Sequence, residues 1–440
     1  MKIGRVAVLV VLTGLLGAVP SAGGLARERG GLFVTQVALH PAKPETVFAL
    51  TTYAVGLLKS LDRGETWALA NQGIKSYSLY QLAIDPRNPN VVYIGAGGGG
   101  LYKSVDSGET FAEKNNGLGN TDIGFMVLHP DRPDTIYVVT STGVYRTPDG
   151  GETWVAWNEG DDFTDSQQFQ DLVIVRSATP ETFLLASKRG VFKRRLGDPA
   201  WTLASKDLEG RRISALTVHP DGRRVLAAVM RSGETLSGGG LYVSRDAGST
   251  WRPVGKGLEQ DWIRAIRFDP RDARVMYAAT STRGVLKSLD GGRAWAPRNQ
   301  GLTDRDVRAL VVDPTEPSRV YAGTHGAGIF VSTDAGGRWT PLDRVPILDP
   351  DSIIASLKAR DPSIPPPDIL PPPAFAKCNR CHGWTDPYLN QTAHSFWLMP
   401  PNRRDWKRTV HRMSRAANLT ADEEAQIADF LTRYSTRHVQ

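Results

Sequence analysis

Ser60-Leu61-Asp62-Arg63-Gly64-Glu65-Thr66-Trp67 decides the fold, because it returns five more times with small changes. The other copies run from Ser104 to Phe111, Thr147 to Trp154, Ser244 to Trp251, Ser288 to Trp295 and Ser332 to Trp339. Their aspartates, at 62, 106, 149, 246, 290 and 334, fall about 44 residues apart, with one double interval between Asp149 and Asp246. A period of this length marks a repeat architecture. The double interval predicts a seventh, decayed copy over Phe192–Trp201, where Gly197 and Trp201 survive and the aspartate turn is distorted.

A second motif runs in phase: His40-Pro41, Asp85-Pro86, His129-Pro130, His219-Pro220, Asp269-Pro270 and Asp313-Pro314. Histidine and aspartate exchange at one repeat position there, which reads as turn chemistry and argues against metal ligation. In the unit lacking the motif, Pro180-Glu181-Thr182-Phe183 echoes Pro44-Glu45-Thr46-Val47 and keeps the register. Seven units then fill the span from Phe33 to Asp343. Within each, short apolar runs such as Gln81–Ile84, Val91–Ile94 and Gly100–Lys103 are bounded by turn residues. Four short strands per period predict a propeller blade, whose ring leaves only short sheet edges.

In the repeated turn, the aspartate is expected to accept backbone N–H groups two or three residues ahead. The glycine two positions on supplies a positive φ, and the terminal tryptophan packs between sheets. The pattern resembles the Asp-box, or BNR repeat, of sialidase-like and related propellers, including photosystem assembly factors of the Ycf48 type. That resemblance covers about 310 residues and implies architecture; in those families the Asp-box turns are structural and lie away from the active face. Sialidase activity would require three clustered arginines, a tyrosine nucleophile and an Arg-Ile-Pro segment near the start. The chain has no such segment. Gly95–Gly100 imitates a phosphate cradle but falls, in repeat register, at the hairpin between strands two and three, as do Thr140–Gly143 and Thr280–Gly284. Lys188, Arg189, Arg231, Arg283 and His325 occupy such hairpins. They form either a solvated surface or a basic rim that attracts an acidic partner or an anionic ligand.

The chain has 440 residues, enough for two to four domains at roughly 150 each. A net charge of +7 without a lysine-arginine block gives no warrant for nucleic-acid binding. At the start, Lys2 and Arg5 precede an apolar run from Val6 to Val19 and then small residues, so residues 1–26 read as an export signal. Fourteen apolar residues fall short of the roughly 20 needed to span a bilayer. A soluble, periplasmic protein is expected, with no transmembrane segment beyond the signal.

After the propeller, residues 344–373 read as a proline-rich linker, with Pro365–Pro367 and Pro371–Pro373 as its stiffest part. Cys378-Asn379-Arg380-Cys381-His382 follows, holding the chain's two cysteines. Cys-x-x-Cys-His is a site for covalent attachment of one haem c: Cys378 and Cys381 each bind a vinyl group and His382 is the proximal iron ligand. A zinc knuckle would need two further ligands, and a thioredoxin-like pair would need a surrounding βαβ pattern. For the sixth ligand the candidates are Met413, Met399, His394 and His411. Arg403–Ala416 reads as an amphipathic helix with Trp406, Val410 and Met413 on one face, and Thr420-Ala421-Asp422-Glu423 is a capping box opening another.

Residues 374–440 resemble a monohaem class I cytochrome c domain. The resemblance implies a methionine just before the final helix, which favours Met413, with Met399 as the alternative. The expected fold is multidomain, an all-β seven-bladed propeller over residues 33–343 followed by a small all-α cytochrome c domain. The expected function is single-electron transfer, with the propeller as a docking platform for a redox partner. Six basic residues, Arg403, Arg404, Lys407, Arg408, Arg412 and Arg415, against Asp405 make an acidic partner one reading and ordinary helix solubility the other. Two further alternatives stay open: a propeller-based oxidoreductase passing substrate electrons to its own haem, and a haem-bearing assembly factor. No catalytic residue is assigned, and the oligomeric state is undetermined.

Overall fold

The computed structural model describes residues 33–342, except 52–55, 77, 141, 159–168 and 231–238, together with 420–422 and 425. The segments read as export signal, linker and haem domain otherwise lie outside the described residues, and with them Cys378, Cys381, His382, Met399 and Met413. Among the described residues no helix is long and apolar enough to cross a membrane.

Seven four-stranded antiparallel sheets form, each from four strands consecutive in sequence. Blade 1 runs from Val34–His40 through Lys43–Thr51 and Leu57–Ser60 to Ala68–Leu69; blade 7 ends at Thr340–Pro341. The innermost strands, Val34–His40, Leu79–Ile84, Ile123–His129, Phe169–Val175, Ile213–Val218, Ile263–Phe268 and Val307–Val312, adjoin one another around the axis. Blade 1 closes on blade 7 by side-chain contact. Val34 sits where a side chain on Gly323 would collide with it, Arg63 donates to Glu316 at 3.0 Å, and Tyr321 donates to the carbonyl of Arg63.

The second strands explain why their sequences are continuously apolar. Val92–Ala96, Val225–Val229 and Met276–Thr280 are buried at every position, because each blade is covered on both faces. The core is accordingly divided between blade pairs. Phe48, Leu50, Leu82, Ile94 and Phe111 pack between blades 1 and 2, and Tyr277, Val307, Ala322, Phe330 and Trp339 between blades 6 and 7.

The repeated turn makes the expected three-residue bond at Asp106 and Asp290, from Glu109 and Arg293 at 3.1 and 2.9 Å, and adds one of longer reach. Asp62 Oδ1 accepts the N–H of Thr66, four residues ahead, at 2.8 Å, while the hydroxyl of Ser60 donates to Asp62 and accepts the N–H of Gly64. The same four-residue bond recurs at Asp106, Asp149, Asp246, Asp290 and Asp334. Where Ala294 and Arg338 replace the threonine, the backbone N–H still makes it. Burial opposes ionisation of Asp106, but bonds from Ser104 and Thr110 outweigh it and hold the carboxyl down at about 2. Both residues after the aspartate are left-handed: Arg63 at φ 61° and Gly64 at 92°, Ala335 at 59° and Gly336 at 87°. Only the second is always glycine. The closing aromatics Trp67, Phe111, Trp154, Trp251 and Trp339 are buried, and Trp295 is partly so.

Blade 4 is complete, from Phe169–Val175 to Thr202–Leu203, as the double interval predicts. Its aspartate turn is replaced by a tighter one in which Asp198 accepts the N–H of Arg195. Trp201 remains buried and donates to the carbonyl of Trp157 at 3.1 Å.

Candidate site at the mouth of the ring

The histidines of the second motif are turn formers. His40 Nδ1 accepts the N–H groups of Ala42 and Lys43, as Asp85 Oδ1 accepts those of Arg87 and Asn88. At His129 the side chains of Asp131 and Glu181 come near enough to suggest a cation site. Its Nδ1 is already engaged by the N–H groups of Asp131 and Arg132. The Arg132 guanidinium, 2.7 Å from Glu181 and 2.8 Å from His129 Nε2, supplies the positive charge there. The Asp-box turns and these turns share one face of the ring.

On the other face the hairpins between strands two and three close onto the blade-to-blade connections: Gly97 donates to Ser78, Gly210 to Arg189, Ser281 to Trp262 and His325 to Asp306. Gly97–Gly99 is such a hairpin, between Val92–Ala96 and Gly100–Ser104. The hairpin cations, readable either as a solvated surface or as a basic rim, do not form a continuous rim among the described residues. Arg231 lies outside the described residues, and Arg283 is paired with buried Asp261 at 2.7 Å. His325 is uncharged at neutral pH, since burial and then the neighbouring Arg308 push it down to about 4.

Positive charge is concentrated nearer the axis instead. Each innermost strand slips register at its second residue, a β-bulge that turns one side chain out of the ladder. In blades 1 to 5 that residue is Thr35, Tyr80, Gly124, Gln170 or Ser214; in blades 6 and 7 it is Arg264 and Arg308. Arg264 stacks on Trp262, its guanidinium carbon 3.6 Å from the ring centroid, and Arg212 of blade 5 approaches the same ring at 5.7 Å. Arg308 lies 5.0 Å from Phe33, which meets His325 edge-on at 4.2 Å. The Asp306 carboxylate accepts from Nε and Nη2 of Arg308 at 3.0 and 2.8 Å and lies 3.9 Å from Arg264. Burial first, then the charge of Arg308, lowers Arg264 to about 9. It remains protonated at neutral pH, in a region of positive potential that Asp306 relieves in part.

Below the mouth, side chains bridge successive inner strands. Gln36 accepts from and donates to the backbone of Leu82, both at 2.8 Å. Asp171 accepts the N–H groups of Leu172 and of Leu216 in the next blade, each at 2.8 Å. Asp171 is half-buried, yet protein surrounds it so densely that burial drives its carboxyl up to about 7, against those two bonds and the charge of Arg267. A raised carboxyl favours folding while it holds its proton, and this contribution is lost as pH rises through about 7. In Asp171→Asn the stability gap to the wild type should therefore shift in the variant's favour with rising pH between about 4 and about 7. Parallel urea midpoints across that range would refute the assignment.

The sequence reading missed the bulge arginines and a third repeat. Arg264 and Arg308 stand one period apart, which was the available signal. Asn71-Gln72-Gly73, Asn115-Asn116-Gly117 and Asn299-Gln300-Gly301 also repeat in phase. The asparagine accepts an N–H of its own blade (Leu57, Leu101, Val285) at 2.8 Å. The next residue's carbonyl takes the N–H of the following blade's aromatic (Phe111, Trp154, Trp339). Each tripeptide thus stitches two blades.

No protein-family profile matches the chain, and no curated protein does. Solved structures do resemble it. The GH74 xyloglucanase of Xanthomonas campestris aligns at TM-score 0.57 with 19% identity, over 72% of this chain and 55% of that one. A GH74 enzyme of Niastella koreensis gives 0.59 and 19%, over 72% and 54%. Ycf48 of Cyanidioschyzon merolae gives 0.51 and 17%, over 69% and 95%. The chain spans about half the length of the GH74 chains it matches. At these identities the likeness is one of fold: a seven-bladed β-propeller similar to GH74 xyloglucanases and Ycf48.

Proposed function

We propose that this protein is an exported c-type cytochrome that moves single electrons, with the propeller as the platform on which its redox partner docks. Cys378-Asn379-Arg380-Cys381-His382 carries the reading. The donor set fits a covalent haem: two thiols at a spacing that reaches both vinyl groups, an imidazole adjoining the second, and no third cysteine in the chain to compete for either thiol. Bound there, the haem supplies one-electron exchange between Fe(II) and Fe(III). Cys378 and Cys381 hold it by thioether bonds, His382 gives the iron a nitrogen ligand, and Met413 gives a sulfur ligand. A thioether ligand leaves no open position for small molecules. The docking role is supported by a ring stiffened through blade-to-blade stitches and by the uneven charge of its mouth. Export agrees with the basic and apolar opening of the chain.

The test is an optical spectrum of the purified holo-protein, oxidised and reduced, with and without carbon monoxide. A low-spin spectrum with the weak near-infrared sulfur–iron band and no response to carbon monoxide is expected. Met413→Ala should abolish that band and open the iron to carbon monoxide, whereas Met399→Ala should leave both unchanged. The reverse pattern reassigns the ligand to Met399. A wild-type spectrum that is high-spin and shifts with carbon monoxide sinks the closed electron carrier.

A further inference from the structure

The geometry points to an oxoanion-binding pocket at the mouth of the ring, where Arg212, Arg264 and Arg308 take a small carboxylate- or phosphate-bearing ligand beside Trp262. The bulge itself does not call for arginine, since five blades of the same ring place threonine, tyrosine, glycine, glutamine or serine there. Blades 6 and 7 instead aim two guanidiniums at one region, and the connection into blade 5 adds a third against the same tryptophan. Like charges drawn together in a half-buried setting are unfavourable unless an anion answers them. Asp306 answers in part, and its two oxygens are taken up by Arg308. The nearby Asp304 is engaged by the N–H groups of Asp306 and Gly326. Among the described residues the buried Nε of Arg264 has no hydrogen-bond partner, so its charge lacks a full set of acceptors.

The aromatic rings supply the second half of the argument. Trp262 at 3.6 Å and Phe33 at 5.0 Å fix the planes of Arg264 and Arg308. Asp306 occupies the Nε–Nη2 edge of Arg308 and the Nε of Arg264 is buried, so the terminal nitrogens are the donors offered to a ligand, and a guanidinium held flat presents them in a fixed plane toward carboxylate or phosphate oxygens. Holding it so in advance reduces the ordering that binding would otherwise demand. The pocket thus selects for paired oxygens and negative charge, with an apolar wall on one side. It stands independently of the haem reading.

The test uses the full-length holo-protein in isothermal titration calorimetry with citrate and with inorganic phosphate, sodium chloride serving at matched ionic strength. Saturable heat with citrate or phosphate and none with chloride is expected. Arg264→Gln and Arg308→Gln should each weaken binding about tenfold or more, the loss of one charge-assisted bond. Arg264→Lys should weaken it as well, since the charge stays but the fork is lost. Arg223→Gln, exposed on the opposite face, should bind as the wild type does. Near-ultraviolet circular dichroism identifies variants that keep the wild-type fold, and only these are compared. Binding of citrate alone assigns a carboxylate ligand, and binding of phosphate alone assigns a phosphate. The pocket is refuted if neither gives saturable heat with the wild type, or if folded Arg264→Gln and Arg308→Gln bind as tightly as the wild type. Because heat is the readout, failure here leaves the cytochrome reading standing, and a missing haem leaves the pocket testable.

Discussion

Cys378→Ala/Cys381→Ala is expected to lose covalent haem completely, so that no haem stays with the chain on a denaturing gel. In the proposed attachment each thiol would form one thioether bond, and the sequence offers no other cysteine to replace either. The single variants should keep haem by one bond, with a shifted reduced absorption band, because one vinyl group is then left unsaturated. His382→Ala should retain both bonds and turn high-spin, having lost the nitrogen ligand. Haem surviving denaturation in the double variant would overturn the attachment site. A wild-type chain that stays haem-free when co-expressed with a cytochrome c maturation system would overturn the function.

Gly301→Ala should destabilise the propeller by about 3–5 kcal/mol, among the largest effects of any single methyl group in this ring. Two terms add. At φ +83° the residue is left-handed, a conformation that costs an L-residue roughly 1–2 kcal/mol. The new Cβ would also lie 2.2 Å from the carbonyl oxygen of Trp339, so the backbone must move. That movement strains the bond from the Trp339 N–H to Gln300, which joins blades 6 and 7. Gly257→Ala separates the terms: its φ is +87° and nothing lies within 4 Å of the added atom. It should lose only the conformational part, about 1–2 kcal/mol. Equal urea midpoints for the two variants would mean that the stitch contributes nothing beyond backbone strain. Gly73 and Gly117 are in the same position toward Phe111 and Trp154, so the effect should recur around the ring.

Much of this was legible in the chain. Blade number, strand order and the place of every Asp-box turn follow from the repeat. So does the survival of blade 4, whose Trp201 keeps its place although its aspartate turn is rebuilt around Asp198. The exchange of histidine for aspartate at positions 40, 129 and 219 was readable as turn chemistry, because both side chains offer one acceptor at the same distance from the backbone. The reach of the aspartate was legible in part: the three-residue bond forms at Asp106 and Asp290, and a four-residue bond joins it because two left-handed residues in succession lengthen the turn. The hairpin cations could be read either as a solvated surface or as a basic rim. Counting charged residues in hairpins says nothing of their partners, and Arg283 proved neutralised by Asp261, and His325 by burial.

What the sequence alone determined, then, is everything encoded within a single period of about 44 residues. Turns close through bonds spanning two to four residues, and strands pair with their immediate neighbours. Such contacts need no knowledge of the rest of the chain. The proposal that Cys378–His382 attaches haem rests on the same kind of local reading, since it draws on five consecutive residues. The tertiary structure decided what happens between periods. Phe33 and Arg308 meet because the ring closes, bringing residues far apart in sequence within 5.0 Å. Arg264 and Arg308 converge because bulges on successive blades lie at one end of the axis, and Arg212, just before the inner strand of blade 5, joins Arg264 at Trp262. The curvature that sets those distances is a property of all seven blades packed together, and no single repeat contains it.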